Sequence, residues 1–193
     1  MLRWSLAAVI GLAVGILTSY GQAVLDSPWS ALVNSASPWL AGAFVAGALQ
    51  PRVRRAALGG LVACVLEVVG YYVTTVAGGY PVSTTEIIFW TACALVGGPL
   101  FGAAGYWWWS QRRGIGAALL PAAFLAEAIG LYWAVLHYRS TAYLYAIVAL
   151  VLAALLSVRV TPPLRVAGWL LGLAVLGIAG EYVLGQVGNV AFG

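Results

Sequence analysis

Apolar segments long enough to cross a lipid bilayer follow one another along this sequence. Only 7% of the 193 residues are charged and 63% are hydrophobic, whereas about 25% of the residues in an ordinary soluble domain are charged. Nine arginines, five acids and one histidine are too few to cover the surface of a soluble domain of this length. The chain is therefore predicted to be an integral membrane protein in contact with the lipid bilayer.

Seven apolar segments result when the sequence is divided at its arginine clusters and at its stretches of Pro, Gly, Ser and Asn. A membrane-spanning helix needs about 20 predominantly apolar residues. The segments are 2–20, 38–50, 56–77, 85–109, 115–136, 142–158 and 166–184. The second is too short alone, so it either begins earlier, near Pro28 or Trp29, or is met by a re-entrant piece through residues 30–37. We predict an all-α transmembrane bundle of seven helices, with six as the alternative, forming one domain over residues 1–193.

The positions of the arginines predict the orientation of the chain, because cytoplasmic loops of membrane proteins are enriched in arginine. With the N-terminus inside and seven crossings, only Arg139 falls outside. The arginines on the inner side are Arg3, Arg52, Arg54, Arg55, Arg112, Arg113, Arg159 and Arg165. A six-helix arrangement that omits the second segment would send Arg112 and Arg113 to the wrong side. The first apolar run could also be a signal peptide cleaved near Ala23, but we take it as an uncleaved helix of a multi-pass plasma-membrane protein.

The sequence carries no pattern for a cofactor, a metal or a nucleic acid. Cys64 and Cys93 lie far apart in apolar runs, and the lone His137 completes no zinc or haem motif. The net charge of +4 is scattered along the chain, whereas nucleic-acid binding needs a clustered basic face. Sequence patterns for a Ser-His-Asp triad, a paired-Asp prenyl site or a histidine cluster are also missing. We therefore predict no cofactor, no metal, no nucleic-acid partner and no enzyme activity.

The third and fifth segments share a short pattern, in which an arginine pair is followed by Glu-x-x-Gly-x-Tyr. The pattern occupies residues 67–72 and 127–132. At about 1.5 Å per helical residue, the two glutamates lie about 18 and 21 Å from their arginine pairs. Both are thus predicted at nearly the same depth, just beyond the midplane. This indicates parallel hairpin repeats, an arrangement known among transporters.

In this topology all five acids lie at the midplane or toward the outside. They are Asp26, Glu67, Glu86, Glu127 and Glu181. A charged carboxylate at the centre of a spanning helix costs about 2.5–3.5 kcal/mol on insertion scales. Glu67 and Glu127 therefore indicate a functional or ion-pairing role, whereas Glu86 and Glu181, near helix ends, are equally typical of interfacial or capping acids.

Aromatic side chains accompany these acids in the outer half of the bundle. Helical spacing places Tyr71 on the face of Glu67 and Trp90 on the face of Glu86. Aromatic faces attract cations, and carboxylates neutralise them at low dielectric. The aromatic belts of the membrane interfaces are the alternative explanation for these rings. The candidate ligand-binding residues are Glu67, Tyr71, Glu86, Trp90, Glu127, Trp133, His137 and Glu181.

Two small-residue motifs add a resemblance to a known family. Ala7, Gly11 and Gly15 form a small-residue face on the first segment, and residues 98–102 read Gly-Pro-Leu-Phe-Gly. Together with an outer pocket rich in Trp, Tyr and Glu, they resemble the substrate-binding membrane subunits (S components) of energy-coupling-factor vitamin transporters. The chain equally resembles uncharacterised multi-pass bacterial membrane families. The first resemblance implies capture of a small solute from outside and six helices with both termini inside.

Three functions follow from these observations. The leading hypothesis is an integral membrane substrate-binding or transport protein for a small cationic or aromatic solute captured from the external side. The alternative is an accessory or scaffold subunit, whose small-residue faces dock a partner membrane subunit. A less favoured third is an intramembrane enzyme that uses Glu67 and Glu127 as an acid-base pair.

Overall fold

The computed structural model of the protein describes the backbone of residues 1–192 and the side chains of residues 1–183. Over this part the chain forms seven α-helices and no β-strand, which confirms the all-α prediction. The helices are α1 (Leu2–Val24), α2 (Ala36–Ala48), α3 (Val53–Ala77), α4 (Thr84–Gln111), α5 (Gly114–Ala126), α6 (Arg139–Ser157) and α7 (Leu164–Phe192). A short 3₁₀ helix, Trp29–Val33, precedes α2, and a π-helix, Glu127–Val135, continues α5. The S-component resemblance implies six helices, one fewer than these seven.

Six helical segments are long and apolar enough to cross a membrane. They are Leu2–Val24, Val53–Ala77, Thr84–Gln111, Gly114–Val135, Arg139–Ser157 and Leu164–Val183. The protein is therefore a multi-pass integral membrane protein. Its orientation, and the plasma membrane as its location, stay predictions.

The chain divides into two compact units, Met1–Gln111 and Arg112–Gly193. The first unit contains α1 to α4, and the second contains α5, the π-helix, α6 and α7. The prediction of one domain over residues 1–193 stays a prediction.

The second apolar segment is short, yet it follows α1 over nearly its whole length. Gln22 Nε2 donates a hydrogen bond of 2.9 Å to Asn34 Oδ1, just before α2. Gln50 Nε2 donates one of 3.3 Å to the carbonyl oxygen of Arg3, just after α2. Arg3 and Gln22 lie about 28 Å apart along α1, close to the hydrocarbon thickness of about 30 Å. This antiparallel course supports a crossing by the second segment, although α2 itself is only about 20 Å long.

The start of α2 differs from the first alternative drawn from the sequence. The helix begins at Ala36, not near Pro28 or Trp29, because the backbone at Ser35 is extended. Residues 29–33 form a separate 3₁₀ turn, and a re-entrant piece through residues 30–37 stays a prediction. Pro38 lies in the first turn of α2, where its missing N–H is tolerated.

Glycines bring the helices of the first unit into backbone contact. A Cβ atom at Gly11 of α1 would overlap the carbonyl oxygen of Ala63 in α3. A Cβ atom at Gly102 of α4 would overlap the carbonyl oxygen of Ala56, also in α3, and one at Gly47 of α2 would overlap that of Gly102. Small residues spaced four apart, Gly11 and Gly15 in α1, Ala43 and Gly47 in α2, and Gly98 and Gly102 in α4, thus pack inside the protein, as such pairs do in lipid.

A further pair of small residues with this spacing, Gly168 and Gly172 in α7, differs from these three. A Cβ atom at either position would meet no described atom within 4 Å, and both residues are exposed. This pair is therefore not packed against the described residues. The spacing of two glycines cannot show which face of the helix is covered.

In the second unit, the π-helix replaces the second half of the predicted fifth helix. Its widened turns end with a hydrogen bond of 2.9 Å from the amide of Leu136 to the carbonyl of Leu131. The amide of Tyr138 donates a further bond of 2.8 Å to the carbonyl of Tyr132. His137 then has a positive φ of 58°, and α6 begins at Arg139. The sequence predicted a regular helix here, and π-turns are typical of functional sites.

Candidate functional site

The first unit encloses a carboxylate that no side chain neutralises by hydrogen bonding. Glu67 lies near the middle of α3 and is 0% exposed. Neither Oε1 nor Oε2 accepts a hydrogen bond from the described residues. The thiol of Cys64, a weak donor, interacts with this carboxylate but outside the geometry of a normal hydrogen bond. An unsatisfied buried polar group costs about 1–3 kcal/mol, and more when it is charged. Stability alone therefore does not explain why Glu67 is buried here.

Space for the Glu67 carboxylate is provided by a glycine of α2. A Cβ atom at Gly42 would overlap Oε1 of Glu67 and would lie 3.7 Å from Cγ2 of Ile10 in α1. Gly15 of α1 lies against the backbone of the same residue, where a Cβ atom would overlap the main-chain carbonyl oxygen of Glu67. The carboxylate is thus enclosed by α1 and α2, in a slot that only glycine at position 42 leaves open.

An aromatic cluster lies one helical turn farther along α3. The rings of Trp39 and Tyr71 are 5.5 Å apart, and those of Trp39 and Trp90 are 5.8 Å apart. Tyr72 lies 5.0 Å from Tyr71, and Phe89 lies 5.3 Å from Trp90. We call these five residues the aromatic cluster. It joins α2, α3 and α4 with centroid separations typical of favourable aromatic pairs.

The cluster and the carboxylate are in register along antiparallel helices. Trp39 comes three residues before Gly42 in α2, and Tyr71 comes four residues after Glu67 in α3. Residues at these spacings share a helix face, so the contact between Trp39 and Tyr71 lies one turn beyond that between Gly42 and Glu67. Trp39 Nε1 is itself buried without a hydrogen-bond partner among the described residues. The Trp39 Nε1 donor and the two Glu67 carboxylate acceptors therefore lie in neighbouring turns, each without a hydrogen-bond partner among the described residues.

A cleft of about 310 Å³ opens beside the cluster, between the ends of α1 and α3. Tyr71 lines it together with Ser19, Gln22, Ala23, Thr75, Tyr80 and Pro81. The hydroxyl of Tyr71 donates a hydrogen bond of 2.7 Å to Gln22 Oε1. The hydroxyls of Ser19 and Thr75 lie 3.0 Å apart in hydrogen-bonding contact. Tyr71 therefore belongs to both the cleft and the aromatic cluster.

Glu86 lies at the exposed beginning of α4, above the same cluster. Its amide donates a hydrogen bond of 3.4 Å to Ser83 Oγ, as expected of a helix N-cap. Its carboxylate is within electrostatic range of Tyr71 and Tyr72. Trp90 follows one turn later on the face of Glu86. The structure thus brings three predicted residues of this unit, Tyr71, Glu86 and Trp90, around the space beyond Glu67.

The second unit contains the other predicted carboxylates. Glu127 begins the π-helix and is 2% exposed, and Glu181 is half-buried on α7. A Cβ atom at Gly130 would lie 3.5 Å from Cβ of Glu181, so α7 approaches the π-helix at this glycine. The ring centroids of Tyr132 in the π-helix and Tyr145 in α6 are 4.8 Å apart. Glu127 thus lies on the π-helix, and Glu181 lies on the surface of α7 that approaches the π-helix.

Trp133 and His137 lie at the exposed end of the π-helix. The guanidinium of Arg139 is 5.3 Å from the Trp133 ring centroid, within the range of a cation–π contact. His137 Nδ1 is 3.2 Å from the carbonyl oxygen of Trp133. The protein's own arginine therefore occupies the cation site on Trp133. Within residues 1–183, no group of three His, Cys, Asp or Glu side chains is placed to hold a metal ion.

Two residues of the Glu67 region were absent from the predicted site. Trp39 and Gly42 both lie on α2, whose pairing with α3 could not be inferred from the sequence. The sequence offered one indication of these residues, a tryptophan and a glycine three residues apart on a short apolar segment. It indicates a shared face but does not identify the carboxylate that this face meets.

Comparisons with known proteins place the chain in a family without giving it a function. No curated protein and no solved structure matches the sequence significantly. Residues 1–189 match the model of a family of unknown function, DUF6518. Because this match spans nearly the whole chain, the protein belongs to the DUF6518 family.

Proposed function

We propose that the protein is a substrate-binding or transport protein of the plasma membrane that captures a small organic cation from the external side. The observation that carries this proposal is Glu67, fully buried in a predicted membrane span, with both carboxylate oxygens lacking donors. Intramembrane carboxylates are expensive and are usually retained for function. A cation bound beside Glu67 would supply the missing charge and the missing hydrogen bonds.

The aromatic cluster favours a cation over other solutes. A ring face contributes about 0.5–2 kcal/mol to binding a cation, with the larger values at desolvated sites. The carboxylate adds an attraction that strengthens at low dielectric. An anion would be repelled by Glu67, and a neutral apolar solute would leave the carboxylate unsatisfied. The combination of a carboxylate with Trp39, Tyr71 and Trp90 is therefore selective for positive charge.

The polar cleft and Glu86 describe a path for the solute from the external side. Glu86 is exposed and attracts cations to the outer end of the cluster. The cleft offers neutral hydroxyl and amide groups beside Tyr71. From Tyr71, Glu67 lies one helical turn deeper on the same face. The solute thus moves from an exposed carboxylate, past aromatic rings, to a buried one.

The proposal is tested by direct binding to the purified full-length protein in detergent. The probes are methylammonium, ethanolamine, choline and tetramethylammonium, measured by calorimetry with wild type and Glu67→Gln. Loss of a charged hydrogen-bonding partner is worth about 1.5–3 kcal/mol, so we expect at least one probe to bind about 10- to 100-fold more weakly to the variant. Asp26→Asn is the matched control, since Asp26 is an exposed acid. Equal binding by wild type and a folded Glu67→Gln protein would refute the proposal.

A second function, that of a subunit in a larger membrane complex, is favoured by one observation. Gly168 and Gly172 form an exposed small-residue pair on α7 that meets no described atom within 4 Å. Such pairs permit close helix association in lipid. If this function is right, a stoichiometric membrane partner co-purifies with wild type and is lost in Gly168→Leu. An Ala13→Leu variant, altered at an exposed position of α1, would retain the partner.

A further inference from the structure

We infer that the cation bound at Glu67 is a primary or secondary ammonium that carries an oxygen acceptor on a neighbouring carbon, and not a quaternary ammonium. This inference rests on the proposed function and deepens it. It follows from three buried polar atoms without partners among the described residues: Oε1 and Oε2 of Glu67 and Nε1 of Trp39. The ligand that satisfies this set offers N–H donors at one end and an acceptor at the other.

The donors are required by the Glu67 carboxylate. Its two oxygens are fully buried acceptors, and each unsatisfied acceptor has a desolvation cost. A quaternary ammonium would supply charge but no N–H group, so both oxygens would stay unsatisfied. A primary or secondary ammonium supplies at least two N–H donors as well as the charge. The aromatic cluster alone would accept either class, and it is the carboxylate that discriminates between them.

The acceptor is required by the Trp39 indole, whose N–H can only donate. The register of α2 against α3 places Trp39 beside Tyr71, one turn beyond Gly42 and Glu67. One helical turn is about 5 Å, the reach of a two- or three-carbon amino alcohol with its hydrogen bonds. In this arrangement the ammonium lies at Glu67, and the oxygen on the neighbouring carbon accepts the hydrogen bond of Trp39 Nε1. A bound water could also satisfy this donor, which the second experiment tests.

This chemistry occurs both in free amino alcohols and in the headgroup of ethanolamine lipids. The first experiment measures affinities of ethanolamine, N-methylethanolamine, N,N-dimethylethanolamine and choline for the full-length protein in dodecyl maltoside. The probes share a hydroxyl and a positive charge but differ in the number of N–H donors. A parallel arm adds phosphatidylethanolamine or phosphatidylcholine to the same protein. Binding of the free amine that neither lipid displaces identifies a soluble ligand, and displacement of that amine by the ethanolamine lipid alone identifies a headgroup.

We expect ethanolamine and N-methylethanolamine to bind within about threefold of each other and choline to bind at least about 30-fold more weakly, since a charged hydrogen bond is worth about 1.5–3 kcal/mol. Choline that binds as tightly as ethanolamine overturns the inference but leaves the proposed function intact, provided Glu67→Gln weakens both. If tetramethylammonium is the only cation that binds, the inference also fails. If Glu67→Gln changes none of the affinities, the proposed function fails with it.

The second experiment isolates the Trp39 donor by comparing ethanolamine with ethylamine, which lacks the hydroxyl. Wild type is expected to prefer ethanolamine by about 3- to 10-fold, because a neutral hydrogen bond is worth about 0.5–1.5 kcal/mol. Trp39→Phe keeps an aromatic ring and removes the donor, so the preference should disappear. Trp90→Phe is the matched control, since Trp90 belongs to the same cluster, and it should keep the preference.

A preference for ethanolamine that persists in Trp39→Phe overturns the acceptor part of the inference, as does equal binding of the two amines to wild type. The wild-type comparison stands even if Trp39→Phe does not fold. If a water rather than the ligand satisfies Trp39, the two amines bind wild type equally, which is the same contradicting result.

Discussion

Glu67 in the first unit and Glu127 in the second arise from the same sequence pattern but occupy different surroundings. Both are buried, at 0% and 2% exposure. Glu67 lies within a regular α-helix, and its oxygens accept no hydrogen bond from the described residues. Glu127 begins a π-helix and takes part in an interaction of its own. The two glutamates of the pattern are therefore both buried, but in different local structures.

The glycine of the pattern has a more constant role. A Cβ atom at Gly70 would lie 3.0 Å from the carbonyl oxygen of Leu12 in α1. At Gly130 the nearest atoms belong to Glu181 and Ile178 in α7, at 3.5 and 3.6 Å. In each unit this glycine faces a neighbouring helix. The approach is tighter in the first unit, so the two units should respond differently to the same substitutions.

The largest expected effect is the presence or absence of cysteine labelling. It tests whether the Glu-x-x-Gly-x-Tyr patterns of the two units run in the same direction through the membrane. In a background of Cys64→Ala and Cys93→Ala, a membrane-impermeant thiol reagent is applied to intact cells. We expect labelling of Ser83→Cys and Ser140→Cys and protection of Arg55→Cys and Arg113→Cys. All four positions are exposed in the structure, so protection reports the side of the membrane.

Lysed cells serve as the control, in which all four cysteines should react. Labelling of Arg55→Cys and Arg113→Cys in intact cells, with protection of the two serine positions, would contradict a crossing by the second segment with the N-terminus inside. Opposite results for Ser83→Cys and Ser140→Cys would show that the repeats are antiparallel.

The next largest effect concerns glycine packing in the two units. Gly15→Ala places a methyl group against the main-chain carbonyl of Glu67, so α1 and α3 must separate. Overpacking of this kind costs about 1–3 kcal/mol, and we expect a value near the upper end because the contact is with backbone. Gly130→Ala makes only ordinary van der Waals contacts and should change stability by less than about 1 kcal/mol.

Thermal unfolding of the two purified variants in the same detergent measures this difference. Gly168→Ala, at an exposed glycine, controls for the change in helix propensity alone. Equal destabilisation by Gly15→Ala and Gly130→Ala would mean that the close approach of α1 to α3 is not a stabilising contact.

A smaller effect, opposite in sign for the two units, is expected from replacing each glutamate by methionine. Glu67→Met removes a buried carboxylate without donors and should raise stability by about 2 kcal/mol, close to the insertion cost of such a group. Glu127→Met changes a buried residue that takes part in an interaction, and we expect it to lower stability. Functional residues are commonly retained at a cost in stability.

Denaturation monitored by tryptophan fluorescence, without added ligand, measures both changes. Glu86→Met is the control, because Glu86 is exposed and its replacement should leave stability nearly unchanged. Destabilisation by Glu67→Met would show that the Glu67 carboxylate is satisfied in the free protein.

The sequence predicted the helices well where apolar length and arginine position determine them. The predicted segments 2–20, 56–77 and 85–109 became Leu2–Val24, Val53–Ala77 and Thr84–Gln111. Composition is sufficient there because the bilayer requires long apolar helices that satisfy their own backbone.

Features that depend on contacts between helices were not accessible from the sequence. The start of α2 depends on an extended Ser35 next to an Asn34 bonded to Gln22, and the π-helix depends on backbone hydrogen bonding that no residue type specifies. Among the predicted site residues, Tyr71 and Trp90 are connected through Trp39, a residue on another helix. Helical spacing gives the face of a residue but not the element that covers it.

The slot formed by Gly15 and Gly42 has a consequence for biosynthesis. Chains are made from the N-terminus onward, so α1 and α2 leave the ribosome before α3. Glu67 then enters the bilayer beside two helices whose glycines already match its backbone and its carboxylate. The order of helices in the gene thus allows the carboxylate of α3 to move into protein rather than into lipid.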